Sequence, residues 1–220
     1  MKFNAKLIGI TQPIVGNTKA TTAEELISYC ARVSNPSNQE NFKTAAGLLN
    51  YCMRNAHWSV FEMVSLVVEI EAPRDISRQI LRHRSFSFQE FSQRYSDEIE
   101  FTERDIRLQD KKNRQNSVEC NDDFLRDEWF GEVAGLTEDI QAVYKGFRDQ
   151  DVAKEVARVI LPEGLTMSRM YVNGTLRSWL HYLDVRTGNG TQLEHIWVAE
   201  KVREVIEPYF PSILVPKQDA

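Results

Sequence analysis

The densest run of side chains able to do chemistry lies between Gln79 and Arg94, reading QILRHRSFSFQEFSQR. Arg82, Arg84 and Arg94 surround His83, with Ser85, Ser87, Gln89, Glu90, Ser92 and Gln93 between them. Planar guanidinium groups bind phosphate and carboxylate bidentately. Hydroxyls and the backbone N–H groups of a turn such as Phe91-Ser92-Gln93 can complete an anion nest. Gln79 and Arg82 stand three apart near a helix end and can share a face. The same residues also describe a solvated helix end followed by a serine-rich loop. Four interleaved aromatics, Phe86, Phe88, Phe91 and Tyr95, permit stacking of single-stranded nucleic acid. A formal net charge of -5 and the lack of a wider basic stripe weigh against a polyanion. A local basic patch on an acidic protein points to a discrete anionic ligand.

A matching set lies in the second half. Arg158, Arg177 and Arg186 each interrupt an otherwise apolar helical pattern, and Arg177, His181 and Asp184 fall on one helical face. A single arginine so placed is ordinarily exposed or paired with a carboxylate; repetition across two helices weakens that reading for the group. Cys30, Cys52 and Cys120 are scattered without a CxxC pair. They fit a reducing compartment and packing roles rather than a disulfide scaffold or a nucleophile. His57, His83, His181 and His195 lack ligand spacing such as H-E-x-x-H, so no metal is expected, and His195 is expected on a helix surface. Trp58, Trp129, Trp179 and Trp197 read as packing residues. There is no G-x-G-x-x-G, so no Rossmann helix end is available to a dinucleotide.

The elements that must position these groups follow from periodicity and punctuation. AKLIGIT alternates as a strand does, and Thr21-Thr22-Ala23-Glu24-Glu25 opens a helix reaching about Val33. A second helix is expected from about Glu40 to Asn55, and a mostly buried strand from Glu62 to Glu71. Pro73 then fits the first turn of a short helix, Arg74 to about Leu81. A further strand is expected over Asp97 to Phe101. Glu103 to Cys120 is charged and nearly free of large apolar groups, and reads as a mobile surface loop of the kind that often forms a lid. Helices are expected over Asp123 to Asp149, Ala153 to Ile160, Thr175 to Val185 and Thr191 to Tyr209, and a strand over Met167 to Val172. Strands and helices do not alternate in the βαβ manner, so residues 1–220 read as one α+β domain. With 42% hydrophobic and 27% charged residues the chain has material for a core. Met1 to Asn17 lacks a signal-peptide apolar run, and no stretch approaches the roughly 18 residues of a membrane span. A cytoplasmic enzyme is expected, in the host cytoplasm if the source is viral.

Arg82-His83-Arg84 followed by Ser92 resembles the RHR-x7-S signature of flavin-dependent thymidylate synthases, and the likeness continues through Gln93-Arg94-Tyr95. His57-Trp58-Ser59-Val60-Phe61-Glu62 resembles the family's H-x-[ST]-P-F-E segment, with Val60 in place of the usual proline. Glu155-Val156-Ala157-Arg158-Val159-Ile160-Leu161-Pro162 resembles its E-x-A-R-x-x-L-P run, and Gly174 to Arg186 its final arginine-bearing helix. These blocks are collinear from about Ala31-Arg32-Val33 to Glu194. Gly190 stands where the family often has a histidine, and Thr175 and His181 stand where asparagines are common.

The resemblance implies a central antiparallel sheet flanked by helices, assembled as a homotetramer with sites at subunit contacts. It implies that Gln79, Arg82, Glu90, Ser92, Gln93, Arg94 and Arg158 line a dUMP site, with Arg94 and the Ser92-Gln93 backbone on the phosphate. Ser59, Arg82, His83, Arg84 and Glu90 would contact FAD, joined by Thr175, Arg177 and His181, with Trp58 placed to flank the flavin. Arg186 would face the uracil ring and stabilise charge as the ring is activated. The implied reaction uses 5,10-methylenetetrahydrofolate as one-carbon donor and NADPH as reductant of FAD. The partners are thus dUMP, folate, NADPH and copies of the chain, with no nucleic acid and no membrane. The alternative is a nucleotide-binding flavoprotein oxidoreductase without methyl transfer.

Overall fold

Period-two alternation builds the centre of the molecule. Along Ser65–Pro73 (β2), Leu66, Val68, Ile70 and Ala72 are fully buried, and along Met167–Thr175 (β6) so are Met170 and Val172. Glu69, Glu71, Arg169 and Tyr171 occupy the opposite, more open face. Burying each large apolar side chain contributes about 1.5–3 kcal/mol, and a one-residue slip would turn the whole set to water. The register is accordingly continuous, from Ser65 opposite Thr175 to Pro73 opposite Met167.

The computed structural model describes residues 3–188 and 190–214. Its main sheet is antiparallel throughout, in the order β1 (Asn4–Ile10), β2, β6 and β3 (Ser87–Glu90). Helices cover the buried face. Ile27 of α1 (Ala23–Ala31), Leu49 of α2 (Ala45–Arg54), Trp179 and Tyr182 of α6 (Leu176–Arg186), and Val202 and Ile206 of α7 (Leu193–Ile206) join the strands in one core. α3 (Arg74–Ile80) follows β2 directly, as Pro73 implies. The long α4 (Asp123–Arg148) runs unbroken through Gly131 and Gly135 and buries only Tyr144. Tyr144 forms a small second core with Ala157 of α5 (Lys154–Ala157) and Leu161. The α1 cap follows its sequence: the Thr22 hydroxyl accepts the Glu25 N–H at 3.2 Å, and the Glu25 carboxylate accepts the Thr21 N–H at 2.7 Å. Among the described residues no helix is long and apolar enough to cross a membrane.

Several expectations are corrected. Trp58–Glu62 forms a 3₁₀ turn and β2 starts at Ser65; another 3₁₀ turn, Phe42–Thr44, precedes α2. Asp97 to Phe101 is not a strand, for only Phe101 bridges to Thr166. Asp97 instead accepts from Arg148 at 2.6 Å and pairs with Lys154 at 3.0 Å, which holds the segment by charge rather than by a ladder. Residues 87–90, within the stretch that also reads as a serine-rich loop, form β3 on the edge of the sheet. The supposed mobile loop carries a hairpin, β4 (Arg107–Gln109) with β5 (Ser117–Glu119). Asp110 closes its turn by accepting N–H groups of Lys112 and Asn113 at 2.8 and 3.2 Å, which gives the KKNRQNS run a structural role. Within the expected turn from Thr187 to Gly190, Asn189 lies outside the described residues.

Phe86 is core rather than a stacking platform: it is 7% exposed, with its ring centroid 4.5 Å from that of Trp179. A Cβ on Gly174 would lie 2.2 Å from Phe86 Cδ1. We therefore expect Gly174→Ala to destabilise the fold by about 1–3 kcal/mol, as overpacking does, read as a lowered urea midpoint with unchanged slope.

Candidate active site

β2 and β6 lead straight into α3 and α6, starting from opposite ends of the sheet. The two helices consequently run back toward each other, and their C-terminal ends meet. There Arg186 Nε donates to His83 Nε2 at 2.9 Å, and another guanidinium N–H reaches the Gln79 carbonyl at 3.4 Å. An arginine can only donate, so His83 Nε2 must be the bare nitrogen and its proton sits on Nδ1. Burial, reinforced by the positive charge of Arg186 and by His181, pushes the His83 pKa down to about 4. Its neutrality at physiological pH thus has both a geometric and an electrostatic cause. Arg186 is half-buried with two uncharged partners, so its positive charge is not cancelled locally. Arg82 lies just beyond α3, exposed, and is close enough to Arg186 to oppose its charge.

Behind this pair is a polar cluster in which Tyr182, Glu194 and His195 are buried and Gln79 and Gln192 are partly buried. His195 is fully buried: Nδ1 lies 3.1 Å from Gln79 Oε1, and Nε2 lies 3.2 Å from the Tyr182 hydroxyl. Gln79 Nε2 donates to Gln192 Oε1 at 2.8 Å. Next to them Glu194, 1% exposed, takes Arg107 at 2.6 Å and Arg104 at 3.4 Å, and Arg104 also binds Asp75 of α3. Burial pushes the Glu194 carboxyl up, but hydrogen bonds from Arg107 and others outweigh it and leave the pKa lowered. Arg104 and Arg107 come from the segment expected to be a mobile loop. His195 is likewise no surface residue. Its expected place on the helix exterior is overturned by partners far away in sequence.

Two clefts carry other candidate residues, and Gln79, His83 and Arg186 line neither. One, of about 260 Å3, is lined by Glu90, Ser92, Gln93 and Arg158 together with Arg74 and Arg78. Glu90 accepts from Ser168 at 3.0 Å and pairs with Arg78 at 3.3 Å, while buried Gln93 accepts from Arg74 at 2.5 Å. Arg94 stands outside this lining, exposed and paired with Glu155 at 3.4 Å. The other cleft, about 800 Å3, lies within the usual volume of ligand pockets. It is lined by Thr175, Arg177 and His181 with Trp58, Leu180 and Leu183. Arg177 is bound to Glu62 at its mouth, and exposed Ser59 is in the adjoining 3₁₀ turn. Arg84 is exposed and has no partner among the described residues.

A family model described as thymidylate synthase complementing protein matches residues 17–212. The chain is 47% identical over 212 residues to a probable flavin-dependent thymidylate synthase of Paramecium bursaria Chlorella virus 1, covering 96% of this chain and 97% of the relative. It is 44% identical over 213 residues to the flavin-dependent thymidylate synthase of Synechocystis sp., covering 96% and 97%. The chain belongs to the flavin-dependent thymidylate synthases. Its fold is also similar to that of the UMP/dUMP methylase PolB from Streptomyces cacaoi solved with 5-Br dUMP, with a TM-score of 0.79 and 25% identity over 96% of this chain and 92% of that one.

In this flavin-dependent thymidylate synthase the cysteines stand apart from the arginine-bearing clefts. Cys52 and Cys120 are buried, and burial raises the thiol pKa of Cys30 and Cys52, which opposes a nucleophilic thiolate. Sequence reasoning missed Arg74 and Arg78, which stand four apart on α3 and line the smaller cleft; that spacing was the available signal. It also missed Gln192, His195 and Tyr182 behind Gln79, for which no local signal exists.

Burial, with Arg186 and His83 adding to it, pushes the His195 pKa down to about 3. A histidine whose folded pKa is depressed adds stability that is full above its unfolded value near 6.5 and is lost as pH falls through the folded value. The wild-type protein should therefore lose stability between pH 6.5 and about 3. His195→Leu should flatten that slope, measured as the difference in urea midpoint between the two proteins across the range.

Proposed function

We propose that this chain methylates dUMP to dTMP, with 5,10-methylenetetrahydrofolate as one-carbon donor and NADPH as the reductant of bound FAD. The observation that carries the reading is the state of Arg186. Its partners are a neutral imidazole and a backbone carbonyl, so a whole positive charge remains for a substrate that gains negative charge on its ring. Arg94 and Arg177, by contrast, each hold a carboxylate. The Arg94–Glu155 pair is more than half exposed on both sides and is worth about 0–1 kcal/mol. A phosphate dianion, at roughly 4 kcal/mol of gross attraction per cation at 4 Å and effective dielectric 20, would displace Glu155 readily. Arg94 and Arg158, with the Ser92-Gln93 backbone, would then bind the nucleotide phosphate, and Glu90 and Gln79 would orient the rest.

The larger cleft fits a flavin dinucleotide in chemistry. Trp58, Leu180 and Leu183 give it apolar surface, and Thr175, Arg177 and His181 give it hydrogen bonds and positive charge. Bound there, the flavin would supply the hydride that completes the methyl group. The chain's own contribution is electrostatic and positional: Arg186 stabilises the activated ring, and neutral His83 holds Arg186 in place without discharging it.

Assembly as a homotetramer in the cytoplasm is part of the same reading. Trp129, Val133, Leu136, Ile140, Val143 and Phe147 make an apolar stripe along α4, with Leu136, Val143 and Phe147 46–54% exposed. The two clefts share no lining residue, so a neighbouring subunit is the natural means of closing them around a common ligand set.

Purified protein should show a flavin absorption spectrum that bleaches with NADPH, and should release tritium from dUMP labelled at C5. A flavin spectrum without tritium release would favour the oxidoreductase alternative. Arg186→Ala should stay yellow but lose about 10²–10³-fold in turnover; full activity would remove Arg186 from the chemistry. Arg94→Ala should mainly raise the dUMP concentration needed for half saturation, and unchanged affinity would place the phosphate elsewhere.

A further inference from the structure

The larger cleft follows one face of α6. Arg177, Leu180, His181, Asp184 and Thr187 line it at helical spacing, a span of about 15 Å. Part of this lining lies beside the helix junction: Thr187 follows Arg186, and the His181 ring centroid is 6.4 Å from that of His83. Other lining comes from the C-terminal part of the chain, namely Arg203 of α7 and Ile213 and Leu214 of α8 (Pro211–Leu214). α8 is seated firmly. The Glu24 carboxylate accepts the Ser212 N–H and hydroxyl at 2.8 Å each, and Asn50 donates to the Ser212 carbonyl at 3.1 Å.

Arg203 is the unexplained member of this lining. It is partly buried, yet its guanidinium has no hydrogen bond or ion pair among the described residues. Carboxylates are at hand. Glu200 and Glu207 stand three before and four after it, the helical spacings at which ion pairs form, and Glu204 is bound to Lys201 at 2.8 Å instead. Asp184 lines the same cleft without pairing with it. Arg177, by contrast, is already balanced by Glu62. The cleft therefore holds one committed guanidinium and one whose charge is unspent. Arg203 also stands away from the junction, eight residues or about 12 Å of helix rise beyond His195 on α7.

We propose that Arg203, with Ile213 and Leu214, holds the adenylate half of the flavin dinucleotide and so makes the cleft select FAD over FMN. The proposal rests on the reading above that FAD occupies this cleft. A flavin ring that serves Arg186 lies toward Thr187 and His181, which leaves Arg203 and α8 to the other half of the molecule. The diphosphate supplies the negative charge that Arg203 lacks, and the two apolar side chains of α8 suit the face of an adenine ring. FMN carries no adenylate and cannot use these contacts.

The test measures flavin affinity rather than turnover. Flavin released from the loaded protein on dilution, read by its fluorescence, gives the Kd for FAD, and displacement of bound FAD by FMN gives that for FMN. The parent should prefer FAD. Arg203→Gln should raise the Kd for FAD about ten-fold or more, as loss of a hydrogen bond to a charged group does, and leave that for FMN unchanged. Arg203→Lys, which keeps the charge, should recover part of the loss, and Ile213→Ser should narrow the FAD preference in the same direction. Equal weakening of FAD and FMN, or no change in a folded Arg203→Gln protein, overturns the proposal and leaves the synthase reading intact. So does an increased NADPH requirement with FAD affinity unchanged, which would give Arg203 to the reductant. A parent protein that bound no flavin would take both readings down.

Discussion

The pairing of β2 with β6 is the constraint from which the rest of the site follows. Their register, Ser65 with Thr175 and Pro73 with Met167, sets where α3 and α6 begin, since each helix continues its strand without a loop. Two short helices launched from opposite ends of adjacent strands must bring their C-terminal ends together. His83 and Arg186, 103 residues apart in sequence, meet for that reason. Gly174, opposite Leu66, lets the Phe86 ring lie against β6, where it packs on Trp179 of α6. Packing on one face of the sheet and the Arg186–His83 contact at the helix ends are thus parts of the same arrangement.

Charge is distributed around that meeting point by a simple rule. Arg186 has neutral partners and Arg94 a well-exposed one, while Arg104 and Arg107 are tied to the buried carboxylate of Glu194. Removing one partner of the Glu194 pair would leave an unpaired buried charge, which typically costs about 3–5 kcal/mol. The network therefore resists rearrangement even though burying it yields little net stability. One oxygen of Glu194 and one nitrogen of Arg107 have no hydrogen-bond partner among the described residues.

Much of the fold was legible because local rules and tertiary packing agree. The Thr22 cap, the alternation in β2 and β6, Pro73 before α3 and the apolar period of α6 each have a physical signature within a few residues. The arginines grouped by resemblance are dispersed in the chain: Arg158 lines one cleft, Arg177 the other, Arg82 and Arg186 lie at the helix junction, and Arg84 and Arg94 stand exposed outside both clefts. What escaped was long-range. Glu194 and His195 look like ordinary polar residues of a first helical turn, and only Arg107, 87 residues away, and Gln79, 116 away, explain their burial. The segment from Glu103 to Cys120 reads as a loop because its hairpin has three-residue strands and a single apolar cross-strand pair, Leu108 with Val118. Its order comes from Arg104 and Arg107 reaching inward, and from the Trp129 indole donating to the Arg104 carbonyl at 2.9 Å.

That hairpin also changes what the charged stretch is for. A mobile lid would be selected for exposure and weak attachment, yet Arg104 is fastened to Asp75, to Glu194 and to the Gly164 carbonyl at once. Asp75 begins α3 and Gln79 nears its end, while Glu194 and His195 share the first turn of α7. Two helices joined at two such points cannot rotate relative to each other without breaking a buried ion pair. Gln79 is consequently presented by a braced pair of helices rather than by a single short one. A helix of seven residues would be marginal alone, and these contacts hold α3 in place.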